Sequence, residues 1–444
     1  MSDRHQLFSW ELSYFSGKVR SYLRYKDHFG ALGPGFEDIL ASYELILGLL
    51  VPNTGSVTVP QIRTSDGTWI HDSSEIIDYF ETVYPSCPVV PDPNERPQQC
   101  VASYLLELLA DEWMVVWGFW ERWHHCLDGV EPNQLAFNQL QWGSAFAPNL
   151  TGAGRSDAAR AMFDGPFGVA AAPAELLGPY AGLQELGMTG RTQDAWTAST
   201  RRILAILDRH FDEHDFVFGG RPSLADFALM GPLYPHLYRD PVPGFEMRIH
   251  HPLVAQWVER TNGTNALDAR SYNQKLYSLV DGELVGRPAT SHDGEWTQED
   301  VIPSSLAPLL GVFFEEMWPV LESSVERLSS FLSSSAHTRG GELPSLTFRA
   351  SPGFEEHQQG DGALTHEFEI GGVRERRMVV PYQVWMLQRL ARVVRPLRET
   401  ASGRQALESL LTPYPGGMRL LELDSLLAAC PLRKEGGRLF SVET

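Results

Sequence analysis

Ser13-Tyr14-Phe15-Ser16-Gly17-Lys18-Val19-Arg20 is the stretch on which the fold turns. Before it, residues 6–12 read as a short strand. After it, Val19, Tyr22 and Leu23 recur at helical spacing. Ser13 therefore stands on a strand-to-helix turn, with its hydroxyl near the start of the helix. Gly30, Gly33, Pro34 and Gly35 end that helix. Farther on, residues 57–62 and 68–70 read as two strands joined by the turn Ser65-Asp66-Gly67. Asp72-Ser73 then caps a helix over residues 74–82. Strand, helix, strand, strand and helix within residues 1–84 make a small α/β unit.

Residues 85–98 carry Pro85, Pro88, Pro91, Pro93 and Pro97 and read as a linker. From 99 to 281 the pattern is that of an all-helical domain. Residues 104–125 form a long apolar run, and 197–211 form an amphipathic helix. Ser223-Leu224-Ala225-Asp226 is a capping box that opens the apolar helix 227–234. Residues 145–182 are rich in Gly, Ala and Pro and read as loops and short turns. The polar stretch 282–302 marks a second boundary. Residues 290–444 then form a mainly helical extension of unassigned function. In it, residues 305–332 make a helix kinked or split at Pro308 and Pro319. Residues 366–370 and 377–380 flank Gly371-Gly372 as a hairpin, and a helix over 382–395 stops at Pro396.

A chain of 444 residues is too long for one ordinary core and divides into two or three domains. Its net charge of -20 repels phosphate backbones and anionic membranes, so no nucleic acid or membrane partner is expected. Cys87, Cys100, Cys126 and Cys430 are scattered, with no metal or disulfide spacing. The N-terminus has no apolar signal run, and no window is long and apolar enough to span a bilayer. A cytoplasmic protein is the expectation.

Four motifs in order resemble the glutathione S-transferase superfamily over roughly residues 6–260. They are the Ser13–Arg20 turn, the Val59-Pro60 step, the Asp72-Ser73 pair and the Ser223–Asp226 capping box. The resemblance implies a thioredoxin-like N-terminal domain followed by an all-α transferase domain, and a homodimer. It also implies glutathione as co-substrate with no metal, an enzyme of the glutathione transferase class, and a setting in detoxification. The family often has Pro after the first position of its turn, where this chain has Tyr14. The tail has no counterpart in the resemblance.

The chemistry needs these residue types. A thiol of pKa ~8.5 is mostly protonated at neutral pH, yet the thiolate is the nucleophile. Lowering the pKa by ~2 units takes ~2.7 kcal/mol of preferential thiolate stabilisation. Ser13 is the expected hydroxyl donor to that thiolate, with Ser16 and Tyr14 behind it; as plain structure, Ser13 is a helix N-cap. Pro60 has no N–H and accepts a cis bond, which turns the Val59 backbone outward to pair with the peptide backbone of glutathione. Asp72 and Ser73 sit where free amides and a hydroxyl suit the γ-glutamyl α-carboxylate, and Asp72 its ammonium. Either pair can also be simple capping.

Three weaker signals complete the reading. Trp113, Trp117 and Arg122 are on the helix that, in the resembling family, borders the pocket for a small apolar electrophile; their spacing equally fits core packing. His124-His125-Cys126 reads as packing rather than metal. Glu107, Asp111 and Glu112 read as a solvated or cap-facing helix edge. The rival to a transferase is a protein that keeps this fold for binding or scaffolding.

Overall fold

The computed structural model describes residues 3–164, 183–263, 275–287, 294–335, 337–343 and 364–442. The chain forms two compact units, each drawn from two stretches: 1–111 with 203–309, and 112–202 with 310–444.

In the first unit, β1 (His5–Ser9) leads through the Ser13 turn into α1 (Tyr14–His28). β1 buries Leu7 and Phe8, and α1 buries Val19, Tyr22 and Leu23 against it. β2 (Phe36–Leu40) returns parallel to β1, and β3 (Gln61–Arg63) and β4 (Trp69–His71) add antiparallel. The four-stranded order is β2-β1-β3-β4. β2 has no sequence counterpart above. Its residues Phe-Glu-Asp-Ile-Leu carry two acids and a mostly exposed face, so the apolar pattern is weak. Pairing with the backbone of β1 makes it a strand, as edge strands commonly require. β3 begins later than the expected strand, because residues 57–60 are an irregular approach to it. α2 (Ser73–Val83) follows, capped by Asp72.

Residues 85–96 make turns, and α3 (Pro97–Leu108) starts at the last of the five prolines named above. The helix Leu224–Pro232 is buried along its whole length. Its capping box is formed: Asp226 accepts from the Ser223 N–H and hydroxyl, both at 2.8 Å, and from the Trp257 indole at 3.0 Å. Burial raises the Asp226 carboxyl to about 6 against these bonds.

The expected all-helical stretch to residue 281 is corrected at its end. β5 (Leu276–Val280) and β6 (Glu283–Arg287) form a hairpin there. Asp281 and Gly282 make its turn with φ of 51° and 86°. Asp-Gly between short apolar runs is the signal for such a hairpin.

In the second unit, residues 145–182 are not all loop. Helices Leu135–Phe146 and Gly152–Asp164 pack closely, with Gly143 against the Arg155 carbonyl where no Cβ would fit. Small residues that look like breakers here permit close approach. Residues 165–182 lie outside the described residues. The expected break in 305–332 is a π-turn, Phe313–Met317, between Ala307–Val312 and Trp318–Leu332. The expected hairpin is present as β7 (Thr365–Ile370) and β8 (Val373–Met378). The helix after it, Pro381–Glu399, runs through Pro396 rather than stopping there. Burial of Val394 and Leu397 and the Arg398 bonds to Leu421 and Asp424 hold its last turn. A last hairpin, β9 (Leu432–Glu435) with β10 (Arg438–Ser441), closes the tail. No described helix is long and apolar enough to cross a membrane.

Candidate functional site

The site residues of the N-terminal segment all fall in the first unit. Ser13 is the N-cap of α1: its Oγ accepts from the Ser16 N–H at 3.2 Å. The same hydroxyl donates to the Val59 carbonyl at 3.2 Å. One side chain thus ties the strand-to-helix turn to the Val59-Pro60 step, a separation of 46 residues. The Val59-Pro60 bond is cis. Val59 is buried with Phe8, Ala41, Ile46 and Leu50.

The two other hydroxyls of the turn point elsewhere. Ser16 is fully buried and its Oγ accepts from the Trp10 N–H at 3.3 Å. Tyr14 is buried too, and its hydroxyl donates to the Ala110 carbonyl. Its ring lies so close to Gly231 that a Cβ there would stand 2.7 Å from Cε1. The departure from Pro at position 14 therefore serves packing against the buried helix Leu224–Pro232.

Asp72 has φ 96°, a conformation that costs a non-glycine residue strain. Its carboxylate accepts from the Ser74 N–H at 2.9 Å and the Glu75 N–H at 3.4 Å. Ser73 is buried at 6 % exposure. Among the described residues its hydroxyl has no hydrogen-bond partner.

Beneath this pair is a cluster that sequence reasoning missed. The Lys18 ammonium, fully buried, lies 2.7 Å from Glu107, 2.6 Å from Asp111 and 3.1 Å from the Ser74 hydroxyl. Ser74 in turn donates to Glu107 at 2.8 Å. Glu107 and Asp111 are therefore not a solvated edge: the i, i+4 spacing turns both inward onto one cation. Burial drives the Asp111 carboxyl up to about 7, Glu107 adds to it, and Lys18 opposes. The available signal was Lys18 itself, a charge placed directly beside the apolar stripe of α1.

Trp113, Trp117 and Arg122 belong to the second unit and are buried at 1 %, 5 % and 1 % exposure. The Trp113 indole donates to Glu316 at 3.1 Å, and its ring lies 4.5 Å from that of Trp196. Trp117 stacks on Trp120 at 4.6 Å. Over them the β7–β8 hairpin lays Arg377, 5.5 Å from the Trp113 ring and 5.6 Å from that of Phe368. His124 stacks on Trp120 at 4.2 Å, and burial lowers its pKa to about 4. Among the described residues no cluster of His, Cys, Asp and Glu is arranged to hold a metal ion.

Residues 7–88 match the family model described as glutathione S-transferase, N-terminal domain, and residues 191–260 match the C-terminal domain model. Neither extends past residue 260. No curated protein matches. Solved structures similar to this chain include a glutathione S-transferase of Rhodospirillum rubrum F11, at 18% identity and TM-score 0.33 over 57% of this chain and 86% of that one. Another is the beta-etherase LigF of Sphingobium sp. strain SYK-6, at 17% and 0.37 over 58% and 95%. A third is a glutathione S-transferase of Ceriporiopsis subvermispora in complex with glutathione, at 17% and 0.35 over 59% and 97%. Likeness this distant carries no argument about activity. The two matched segments, in the order and at the places where the motifs stand, are the N- and C-terminal domains of a glutathione S-transferase over residues 7–88 and 191–260.

Proposed function

We propose that the chain binds glutathione through Ser13, Val59, Pro60, Asp72 and Ser73 and uses its thiolate against a small apolar electrophile. The observation that carries this reading is the 3.2 Å bond from the Ser13 hydroxyl to the Val59 carbonyl. It puts the expected thiol donor and the expected peptide-pairing step within one hydrogen bond of each other. Glutathione supplies the nucleophilic thiol. Ser13 holds the thiolate by turning its proton from Val59 to the sulfur. Val59 offers its backbone to the peptide, and Ser73 with the first amides of α2 takes the γ-glutamyl carboxylate. Conjugation, dehalogenation, ether cleavage and isomerisation through a transient adduct all begin with this attack. Cys is absent from position 13, which argues against mixed-disulfide chemistry there. A cytoplasmic homodimer is part of the same reading.

Burial argues against direct contact of Trp113, Trp117 and Arg122 with the electrophile. A Trp117→Ala variant decides it: slower turnover at unchanged glutathione affinity supports contact, and unchanged turnover assigns the three to packing.

One observation favours a non-catalytic reading. The Ser13 hydroxyl already accepts from one group and donates to another, as a purely structural cap does. Calorimetric titration with glutathione separates the two. Binding that weakens in Ser73→Ala, with thioether formation lost in Ser13→Ala, supports the transferase. No binding by the intact chain overturns it.

A further inference from the structure

Arg377 lies on the inner face of the β7–β8 hairpin. Gly371 and Gly372 turn that hairpin with φ of 55° and 77°, and the register sets His366 opposite Arg377 and Phe368 opposite Glu375. Side chains alternate along a strand. His366, Phe368 and Ile370 are accordingly buried, and Glu367 and Glu369 face solvent. On β8 the same alternation turns Arg374 and Arg376 outward and Arg377 inward, at 1% exposure. A strand rich in arginine thus commits one of them to the interior.

The interior gives that cation no partner. Among the described residues, none of its Nε, Nη1 and Nη2 makes a hydrogen bond. Burial lowers its pKa to about 10, so it stays charged at neutral pH. The Trp113 and Phe368 rings flank it at 5.5 and 5.6 Å. Elsewhere in the chain a guanidinium stacks closer, Arg248 on Tyr238 at 4.0 Å and Arg221 on Trp296 at 4.3 Å. Neither ring closes over Arg377 in that way. The Trp113 indole N–H is already taken by Glu316, so this wall is apolar. Glu112 attracts the guanidinium without bonding to it. Gln383 donates to the Glu112 carbonyl at 3.2 Å, and its own Oε1 has no partner among the described residues.

These features select a ligand. A guanidinium presents N–H donors in a planar fork that fits the two oxygens of a carboxylate. Aromatic walls suit a small organic body. A second negative charge is opposed by Glu112 and by the chain's net charge of -20, which disfavours phosphate and leaves a monoanion. A buried cation without an acceptor costs stability, and a bound carboxylate supplies the acceptor. The way in is local opening of the hairpin, because a two-stranded ribbon is held weakly by its own bonds.

We propose that Arg377 is the centre of a binding site in the second unit for a small monocarboxylate, held by the guanidinium fork between Trp113 and Phe368. Arg377 and Phe368 belong to the extension past residue 260, where the matches to the family models end. The site shares none of the five residues assigned to glutathione, so it stands or falls separately from that reading.

Calorimetric titration of the full chain with sodium acetate, propionate and benzoate tests it, at fixed ionic strength and neutral pH, with sodium chloride and phosphate as controls. At least one of the three carboxylates is expected to bind saturably at a single site. Arg377→Met is expected to weaken that binding about ten-fold or more, and Arg377→Lys, which keeps the charge and loses the fork, to weaken it less. Circular dichroism checks that each variant remains folded, and the Lys variant carries the test if the Met variant does not. Absence of saturable binding by all three carboxylates overturns the proposal. So does an affinity that the variants leave unchanged, or one that chloride or phosphate equals.

Discussion

The ammonium of Lys18 lies 2.6 Å from a carboxylate oxygen of Asp111, with both side chains withdrawn from solvent. Glu107 makes the second ion pair, so one cation faces two acids. Lys18→Met is expected to leave both acids buried without a counter-charge. Breaking such a group by removing one member costs about 3–5 kcal/mol. Chemical denaturation of the variant against the parent measures it, and a loss below ~1 kcal/mol would count against this view of the cluster.

The same cluster sets a pH dependence. The folded chain binds a proton on Asp111 up to about pH 7, against 3.8 ordinarily, because burial and Glu107 outweigh Lys18. Between those values the folded state holds more proton than the unfolded one. The Asp111 contribution to stability is therefore full below pH 3.8 and is lost as pH rises to about 7. Asp111→Asn cannot ionise. Its unfolding free energy should fall less across that window, by on the order of a few kcal/mol. Equal slopes for variant and parent would contradict the shift.

Arg377 is wholly buried, and among the described residues its three guanidinium nitrogens have no hydrogen-bond partner. Burial lowers its pKa to about 10, with Glu112 opposing. The contacts over Trp113 and Phe368 offset only part of that desolvation. Arg377→Met keeps much of the volume and removes the charge, and should stabilise the chain by roughly 1–3 kcal/mol. A rise in Tm is the readout, and a fall would show that the guanidinium is stabilising where it lies.

Gly187 has φ 90°, and a Cβ there would collide with the Phe368 ring. That ring is held beside Trp113 and Trp196, so it has little room to yield. Gly187→Ala combines backbone strain with overpacking and should cost about 2–4 kcal/mol. Shortening the obstacle in Gly187→Ala/Phe368→Leu should recover part of it, measured as Tm. Equal loss in the double variant would trace the damage to backbone alone.

Much of the first unit, and one hairpin of the second, was open to a reader of residues alone. Ser13 as a cap, the turn at Gly67, the capping box of Ser223 and Asp226 and the Gly371-Gly372 hairpin are local features. Each depends on neighbours within a few residues. β2 was missed because an acidic edge strand owes its conformation to β1. Pro396 misled for a related reason: tertiary burial carries a helix past a residue that would stop it in isolation.

By itself the sequence determined the caps and tight turns, the helices with a clear apolar face and the family that two segments match. Those follow from periodicity, backbone preference and short-range hydrogen bonding, which act along the chain. The tertiary structure alone decided where charge goes. Lys18 meets Glu107 across 89 residues, and Ser13 meets Val59 across 46. Arg377 reaches Trp113 from the tail. Whether a charged side chain is solvated, paired or buried without a partner depends on what the fold brings opposite it, and no local pattern encodes that.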